Sequence, residues 1–275
     1  MTADADVAAV LAARSAVLAR LFGRYMTRYV ARHFHAVRIA RGGLPRLPEG
    51  RPAIVYTNHP SWWDPAVFMA LATLLFPGRP AWGPMDAAAL EKYGIFRRIG
   101  IFGIEPGTRR GAARFLRVAT AVLADPAAML WVTAEGAFTD PRARPVRLRP
   151  GLAHLARRLP DAVLVPLALE YPFWTERFPE ALLRFGDPIP AENHHPAGNH
   201  TTGDWTAILE ARLTETLDAL AADAMTRDPA RFTTLLSGAA GIGGGYDLWR
   251  RLRAALAGRR FSAAHDDSGE ARHGP

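Results

Sequence analysis

The chain has 275 residues, 49% of them apolar and 22% charged, with a formal net charge of +8. That composition excludes a disordered chain and predicts one domain of ordinary size with helical flanks. There is no cysteine, which excludes disulfides, thiolate catalysis and cysteine metal sites, and Lys92 is the only lysine, so nearly all of the positive charge is arginine, a side chain suited to phosphate-bearing partners.

Residues 7–40 read as helix. Arg20, Arg24, Arg28 and Arg32 recur every four residues as one drifting stripe, while Leu18, Leu21, Phe22, Tyr25, Met26, Tyr29 and Val30 occupy other faces. Such a helix suits a membrane interface, or a domain surface with a solvated arginine edge. Asp4 and Asp6 precede the apolar residues and arginines interrupt them from Arg14, so the pattern is not that of a signal peptide. No window holds about 18 uninterrupted apolar residues, so no membrane span is expected. Residues 42–50 form a glycine- and proline-rich connector.

Residues 52–57 are apolar and β-rich, and predict a short buried strand; residues 66–76 predict a helix, broken by Pro77-Gly78-Arg79-Pro80. A strand near 81–83, a helix near 86–93, a strand over 99–104 and a helix over 111–124 follow, the last ended by Asp125-Pro126. Residues 129–133 and 162–170 read as buried strands on either side of a helix at 151–159. This alternation predicts an α/β fold, a mostly parallel sheet flanked by helices. Residues 192–203 are polar and carry His194, His195 and His200, in loose spacing without a carboxylate motif, so no metal site is expected. An amphipathic helix is expected over 205–224. The glycines at 241–245 lack a preceding strand and read as a hinge; a basic helix at 246–260 and a disordered tail from 263 complete the chain. No zinc-finger spacing, RNA-binding motif or dense basic tail supports nucleic-acid binding.

The motif with most chemical content is Asn58-His59-Pro60-Ser61-Trp62-Trp63-Asp64, on the run from the 52–57 strand into the next helix. Strand ends are where α/β sheets carry their chemistry. A histidine there can take a proton from a hydroxyl at neutral pH, and a carboxylate on its other nitrogen would fix its tautomer and stabilise the imidazolium. The same residues fit a capping box, with Ser61 as N-cap and Asp64 at the third helical position. The two readings are compatible.

This block resembles the first conserved block of the glycerolipid acyltransferases, the lysophosphatidate (1-acylglycerol-3-phosphate) acyltransferase group. Gly100-Ile101-Phe102-Gly103-Ile104-Glu105, Thr133-Ala134-Glu135-Gly136-Ala137-Phe138 and Val165-Pro166-Leu167-Ala168-Leu169 resemble the second, third and fourth blocks, in order, over roughly residues 35–190. The resemblance implies a glycerol-phosphate acyltransferase-like fold and transfer of an acyl group from a thioester, acyl-CoA or acyl carrier protein, to a lipid hydroxyl. It implies no metal, no other cofactor and no acyl-enzyme. It makes His59 the general base and Asp64 its orienter, and has Glu135 and Gly136 bind the acceptor, with Asn58 holding the loop and contributing to substrate binding. Backbone amides at the start of the following helix would hold the oxyanion.

Two departures bear on the acceptor. Where the second block usually carries a phosphate-binding arginine stands Pro106, with Arg109 and Arg110 beyond it; where the third carries one stands Phe138, with Arg142 and Arg144 downstream. Arg109, Arg110 and Arg142 are the expected phosphate contacts if the acceptor is a lysophospholipid. The alternatives are a non-phosphorylated lipid or glycolipid hydroxyl, or a non-catalytic lipid-binding protein on the membrane surface. The expected organisation is a membrane-associating helical segment at 1–41, a catalytic domain at 42–236, the hinge and basic helix at 237–262, and a tail at 263–275. Membrane lipids are the expected partners, at the cytoplasmic face and peripherally bound, and nucleic acid is not.

Overall fold

The computed structural model describes residues 2–190 and 200–240. His194, His195, the glycine run, the basic helix and the tail therefore lie outside the described residues.

The N-terminal stretch is two helices, α1 (Ala3–Ala13) and α2 (Ala16–His33), each opened by a hydroxyl cap: Thr2 Oγ accepts from the Ala5 amide and Ser15 Oγ from the Leu18 amide. The expected single helix to residue 40 ends early. Strand β1 (Ala36–Ala40) follows, because Val37 and Ile39 are buried on one face of the sheet while Ala36 and Ala40 are buried too. Thus the last part of the N-terminal segment belongs to the sheet. Helix α2 packs on α3 (Asp64–Leu75) through Gly23, where a Cβ would lie 2.2 Å from Thr73 Oγ1.

Then come β2 (Ala53–Thr57), β3 (Ala81–Asp86), α4 (Ala87–Lys92), α5 (Ile95–Arg98), β4 (Ile101–Ile104), α6 (Arg109–Val122), β5 (Met129–Thr133), α7 (Gly151–Arg158) and β6 (Val163–Glu170). Two strands the sequence reading lacks follow, β7 (Glu180–Phe185) and the two-residue β8 (Ile189–Pro190). Helix α8 (Thr202–Met225) opens with a full capping box between Thr201 and Asp204, and a last strand, β9 (Phe232–Ser237), ends the described chain.

The sheet runs β4-β3-β5-β2-β6-β7-β1-β9, with β8 on β6. Pairs β4–β3, β3–β5, β5–β2, β2–β6 and β7–β1 are parallel; β6–β7, β6–β8 and β1–β9 are antiparallel. The fold is α/β, with a mixed, mostly parallel sheet flanked by helices. Every residue of β2 is buried, as expected of a central strand covered on both faces. Ile54 and Tyr56 join the core under α6, α7 and α8, while Ala53 and Val55 join the core under α2 and α3. A one-residue slip of β2 would exchange these two sets, so burial on both faces and the register on two neighbours fix its position.

That register brings the site together. Thr57 is level with Thr133 on β5 and with Leu167 on β6. The three parallel strands therefore deliver the loops after residues 57, 133 and 170 to one edge of the sheet.

Candidate active site

The loop after β2 is tied down on both sides. Asn58 is 1% exposed. Its amide donates to the Leu169 carbonyl at 2.9 Å and its carbonyl oxygen accepts from the Leu169 amide at 2.9 Å, a two-point clasp to β6. It is sealed beneath the loop, and so is a backbone tie rather than the substrate contact the sequence reading included. From the β5 side, Glu135 Oε2 accepts the His59 amide at 2.8 Å, and the Thr139 amide donates to the His59 carbonyl at 3.0 Å. The His59 backbone is thus held at both its amide and its carbonyl from the β5 side, while Asn58 ties the loop to β6. The carboxylate that the resemblance assigns to the acceptor is engaged, through Oε2, with the catalytic loop itself. Burial raises the Glu135 pKa above the ordinary glutamate value, opposed by the hydrogen bond from the His59 amide.

His59 Nδ1 lies 2.5 Å from Asp64 Oδ2. An ionised carboxylate only accepts, so Nδ1 carries the proton and Nε2 is the basic nitrogen. Asp64 is fully buried, and a buried carboxylate needs donors. Beyond His59 it has two: the Ser61 amide to Oδ2 at 3.3 Å and the Tyr171 hydroxyl to Oδ1 at 2.7 Å. Burial, and then the neighbouring Asp64 carboxylate, push the Tyr171 phenol well above its ordinary pKa, so it stays a donor.

The capping box over Ser61–Asp64 forms only in part. Helix α3 starts at Asp64 itself, with Trp63 as its N-cap and no side-chain cap. Ser61 Oγ instead accepts from the Trp63 amide at 3.3 Å, and the Asp64 amide donates to the Ser61 carbonyl at 3.2 Å. The reason is geometric: a carboxylate already bound to His59 and Tyr171 draws the helix start onto Asp64. The Asp64 charge at a helix N-terminus is favourable in its own right. These bonds occupy three of the amides expected to hold an oxyanion. The Trp62 amide has no acceptor among the described residues, and the Trp62 ring is 69% exposed.

Phe138, standing where an arginine is usual, lies with its ring centroid 4.3 Å from that of His59 and is largely exposed. The expected arginines divide. Arg109 and Arg110 begin α6, beyond β4, and β4 is three strand spacings from β2, about 14 Å. Arg110 faces Glu105 at 3.8 Å and lines a separate cavity of about 370 Å³ between α1, α4, β4 and α6. The structure does not bring these two to His59. Arg142 is nearer: it pairs at 3.6 Å with Glu170, the last residue of β6, the strand beside β2.

Two residues at the site were not read from the sequence. Tyr171 is one. Arg149 is the other: its side chain crosses Gly136, where a Cβ would meet Arg149 Cγ at 2.9 Å, and Gly136 holds a φ of +69°. The exposed guanidinium of Arg149 has no ion-pair partner among the described residues, and its amide is fixed to the Ala134 carbonyl at 2.8 Å. A spare arginine downstream of a Glu-Gly turn was the only available signal.

An imidazole backed by a buried carboxylate, with an open Nε2, is equipped to take a proton from a hydroxyl as that hydroxyl attacks a carbonyl. A family model described as Acyltransferase matches residues 38–170. The crystal structure of the 1-acyl-sn-glycerophosphate (LPA) acyltransferase PlsC from Thermotoga maritima superposes with a TM-score of 0.52 at 12% identity, covering 74% of this chain and 78% of that one, a likeness of fold. No curated protein matches the sequence. The acyltransferase match thus runs from within β1 to the end of β6 and takes in the His59 loop, so residues 38–170 of this chain form an acyltransferase domain.

Proposed function

We propose that the protein transfers a fatty acyl group from a thioester, carried on coenzyme A or acyl carrier protein, to the free hydroxyl of a lysophospholipid such as 1-acylglycerol-3-phosphate. The observation that carries this reading is the 2.5 Å contact between His59 Nδ1 and Asp64 Oδ2 at the carboxyl end of β2. His59 Nε2 takes the acceptor's hydroxyl proton as the oxygen attacks the thioester carbonyl. Asp64 stabilises the imidazolium. The Trp62 amide is the proposed oxyanion donor. As the tetrahedral adduct collapses, the C–S bond breaks and the imidazolium returns its proton to the departing thiolate, leaving ester and thiol. The sequence holds no cysteine, and the direct attack needs no acyl-enzyme.

For the acceptor's phosphate we propose Arg142 and Arg149, which flank the His59 loop, over Arg109 and Arg110. The test is turnover of labelled acyl-CoA and acyl carrier protein thioesters against a panel of lysophospholipids, neutral lipids and glycolipids, with products identified by mass spectrometry. Arg142→Ala and Arg149→Ala should each raise the KM of a phosphorylated acceptor and cut kcat/KM about 10- to 100-fold, sparing the thioester's KM. Arg109→Ala should change little. Normal use of phosphorylated acceptors by both variants would remove Arg142 and Arg149 as the phosphate contacts, and turnover confined to neutral lipids or glycolipids would make Phe138, packed on His59, the mark of a non-phosphorylated acceptor.

The substrates are lipids, so the surface matters. Among the described residues no helix is long and apolar enough to cross a membrane. The exposed face of α2 carries Arg20, Arg24, Arg28 and Arg32 beside Val17, Leu21 and Tyr25. Phe22 turns away from this face and packs edge-on against Phe96 at 5.8 Å. From Tyr25 an aromatic series continues through Tyr29 and Trp63 to exposed Trp62 at the catalytic loop. We propose that this face rests on anionic headgroups, peripherally bound at the cytoplasmic side. Each arginine near such a surface contributes about 1 kcal/mol. Changing all four to glutamine should therefore weaken binding to anionic vesicles about 10³-fold, read by co-sedimentation at low and high salt, while turnover of a soluble short-chain substrate persists. Equal sedimentation of both proteins would remove α2 as the electrostatic anchor.

A further inference from the structure

We propose that Tyr171 is a positioning residue for acyl transfer: its hydroxyl holds the Asp64 carboxylate in the rotation that presents Oδ2 to His59, and so sets how tightly the pair holds its proton. The inference rests on the acyl-transfer reading above. Rotation about the bond to an aspartate's carboxylate is soft, with broad wells. Something must therefore fix Asp64. Its two oxygens are served unequally: Oδ2 accepts from His59 and from the Ser61 amide, whereas the only donor to Oδ1 among the described residues is the Tyr171 hydroxyl at 2.7 Å.

Tyr171 is well placed to act as that anchor. It is the residue after β6, whose register against β2 is fixed at Thr57 and Leu167 and reinforced by the Asn58–Leu169 clasp. Its ring packs against that of Phe34, with centroids 5.5 Å apart. The phenol thus stands on the neighbouring strand, outside the 58–64 loop that carries the catalytic pair. Its contact with Asp64 spans 107 positions of sequence. The adjoining Glu170 carries Arg142, so one short segment supports the catalytic pair and faces the proposed acceptor site.

The consequence is a pH effect with a definite sign. The Tyr171 hydrogen bond is strongest when Asp64 bears its full charge, that is, when His59 is neutral. It therefore favours the unprotonated pair. Removing it leaves a buried carboxylate oxygen without a donor, and the pair then binds its proton more tightly, whichever partner carries it. The other charged group facing the pair is Glu135, from the loop after β5, itself acted on by Arg144, whose guanidinium is paired with Asp218; the substitution touches neither.

The experiment is Tyr171→Phe in the full chain, with kcat, KM and the acid limb of kcat/KM measured against wild type, and a second variant with a fluorinated tyrosine at 171. The first should lower kcat about 10-fold with little change in acceptor KM, and move the acid limb roughly half to one pH unit upward. The fluorinated residue keeps the shape but is a stronger donor, so its limb should move downward. In an Asp64→Asn background, Tyr171→Phe should cost little more. Acid limbs unmoved in both variants, or a Tyr171→Phe loss that adds in full to Asp64→Asn, would overturn the inference, whatever happens to the melting temperature. A wild type without turnover on any acceptor would overturn the acyl-transfer reading and this inference with it; an active wild type with unmoved limbs overturns only the role of Tyr171.

Discussion

His59→Ala should lower kcat by about 10²–10⁴-fold or more while leaving the fold intact. The fold should survive because the loop is held mainly through backbone. Glu135 accepts the amide of residue 59, and Thr139 donates to its carbonyl, whatever the side chain. Asp64 would keep the Ser61 amide and the Tyr171 hydroxyl as donors. The imidazole is partly open to solvent, so its loss opens no large hole in the core; its ring neighbour is the exposed Phe138. The loss should fall on kcat with little change in the acceptor's KM, as expected when an interaction specific to the transition state is removed. Circular dichroism and thermal melting establish that the variant is folded. A folded variant that transfers acyl groups at near the wild-type rate would remove His59 as the base.

Much of this site was legible because it is local in sequence. The residues 58–64 form a single turn between a strand and a helix, and the buried runs that became β2, β5 and β6 announce themselves by composition. Parallel strands separated by helices then require the loops after residues 57 and 133 to share an edge, which they do. What was not legible depended on strand order and on contacts distant in sequence. Arg109 and Arg110 follow the second block in the chain, yet β4 lies three places from β2, and no residue pattern encodes that order. Strand β1 follows a long amphipathic helix without a break, and its pairing with β7 and β9 comes from residues more than 130 positions away. Arg38 blurs its apolar pattern because it is there to meet Glu180, whose carboxylate it reaches at 2.9 Å. Tyr171 sits after an apolar strand like many core tyrosines, and only the fold aims its hydroxyl at Asp64.

Asp64→Asn separates two roles that the sequence left superposed. If Asp64 only shapes the start of α3, the substitution should cost about 1 kcal/mol of stability and leave turnover largely intact, since asparagine also caps helices well. If it orients and charges His59, turnover should fall about 10³–10⁴-fold with little change in melting temperature. The geometry favours the second outcome. Trp63, not Ser61, is the cap residue, and the hydrogen bond of Asp64 to the Ser61 amide, at 3.3 Å, is the longest of its three. The short contacts go to His59 and Tyr171, at 2.5 and 2.7 Å. An asparagine could meet these in two ways. With its oxygen toward His59 the tautomer is kept, but no charge faces the imidazolium, and its amide meets a Tyr171 hydroxyl that must turn round to accept. With its amide toward His59, Nδ1 becomes the acceptor and the proton moves to Nε2, which then is no longer a base. Both arrangements cripple proton transfer while filling the same volume. Turnover and melting temperature measured on the same preparation decide the matter: an Asp64→Asn protein that turns over near the wild-type rate would reduce Asp64 to a structural residue.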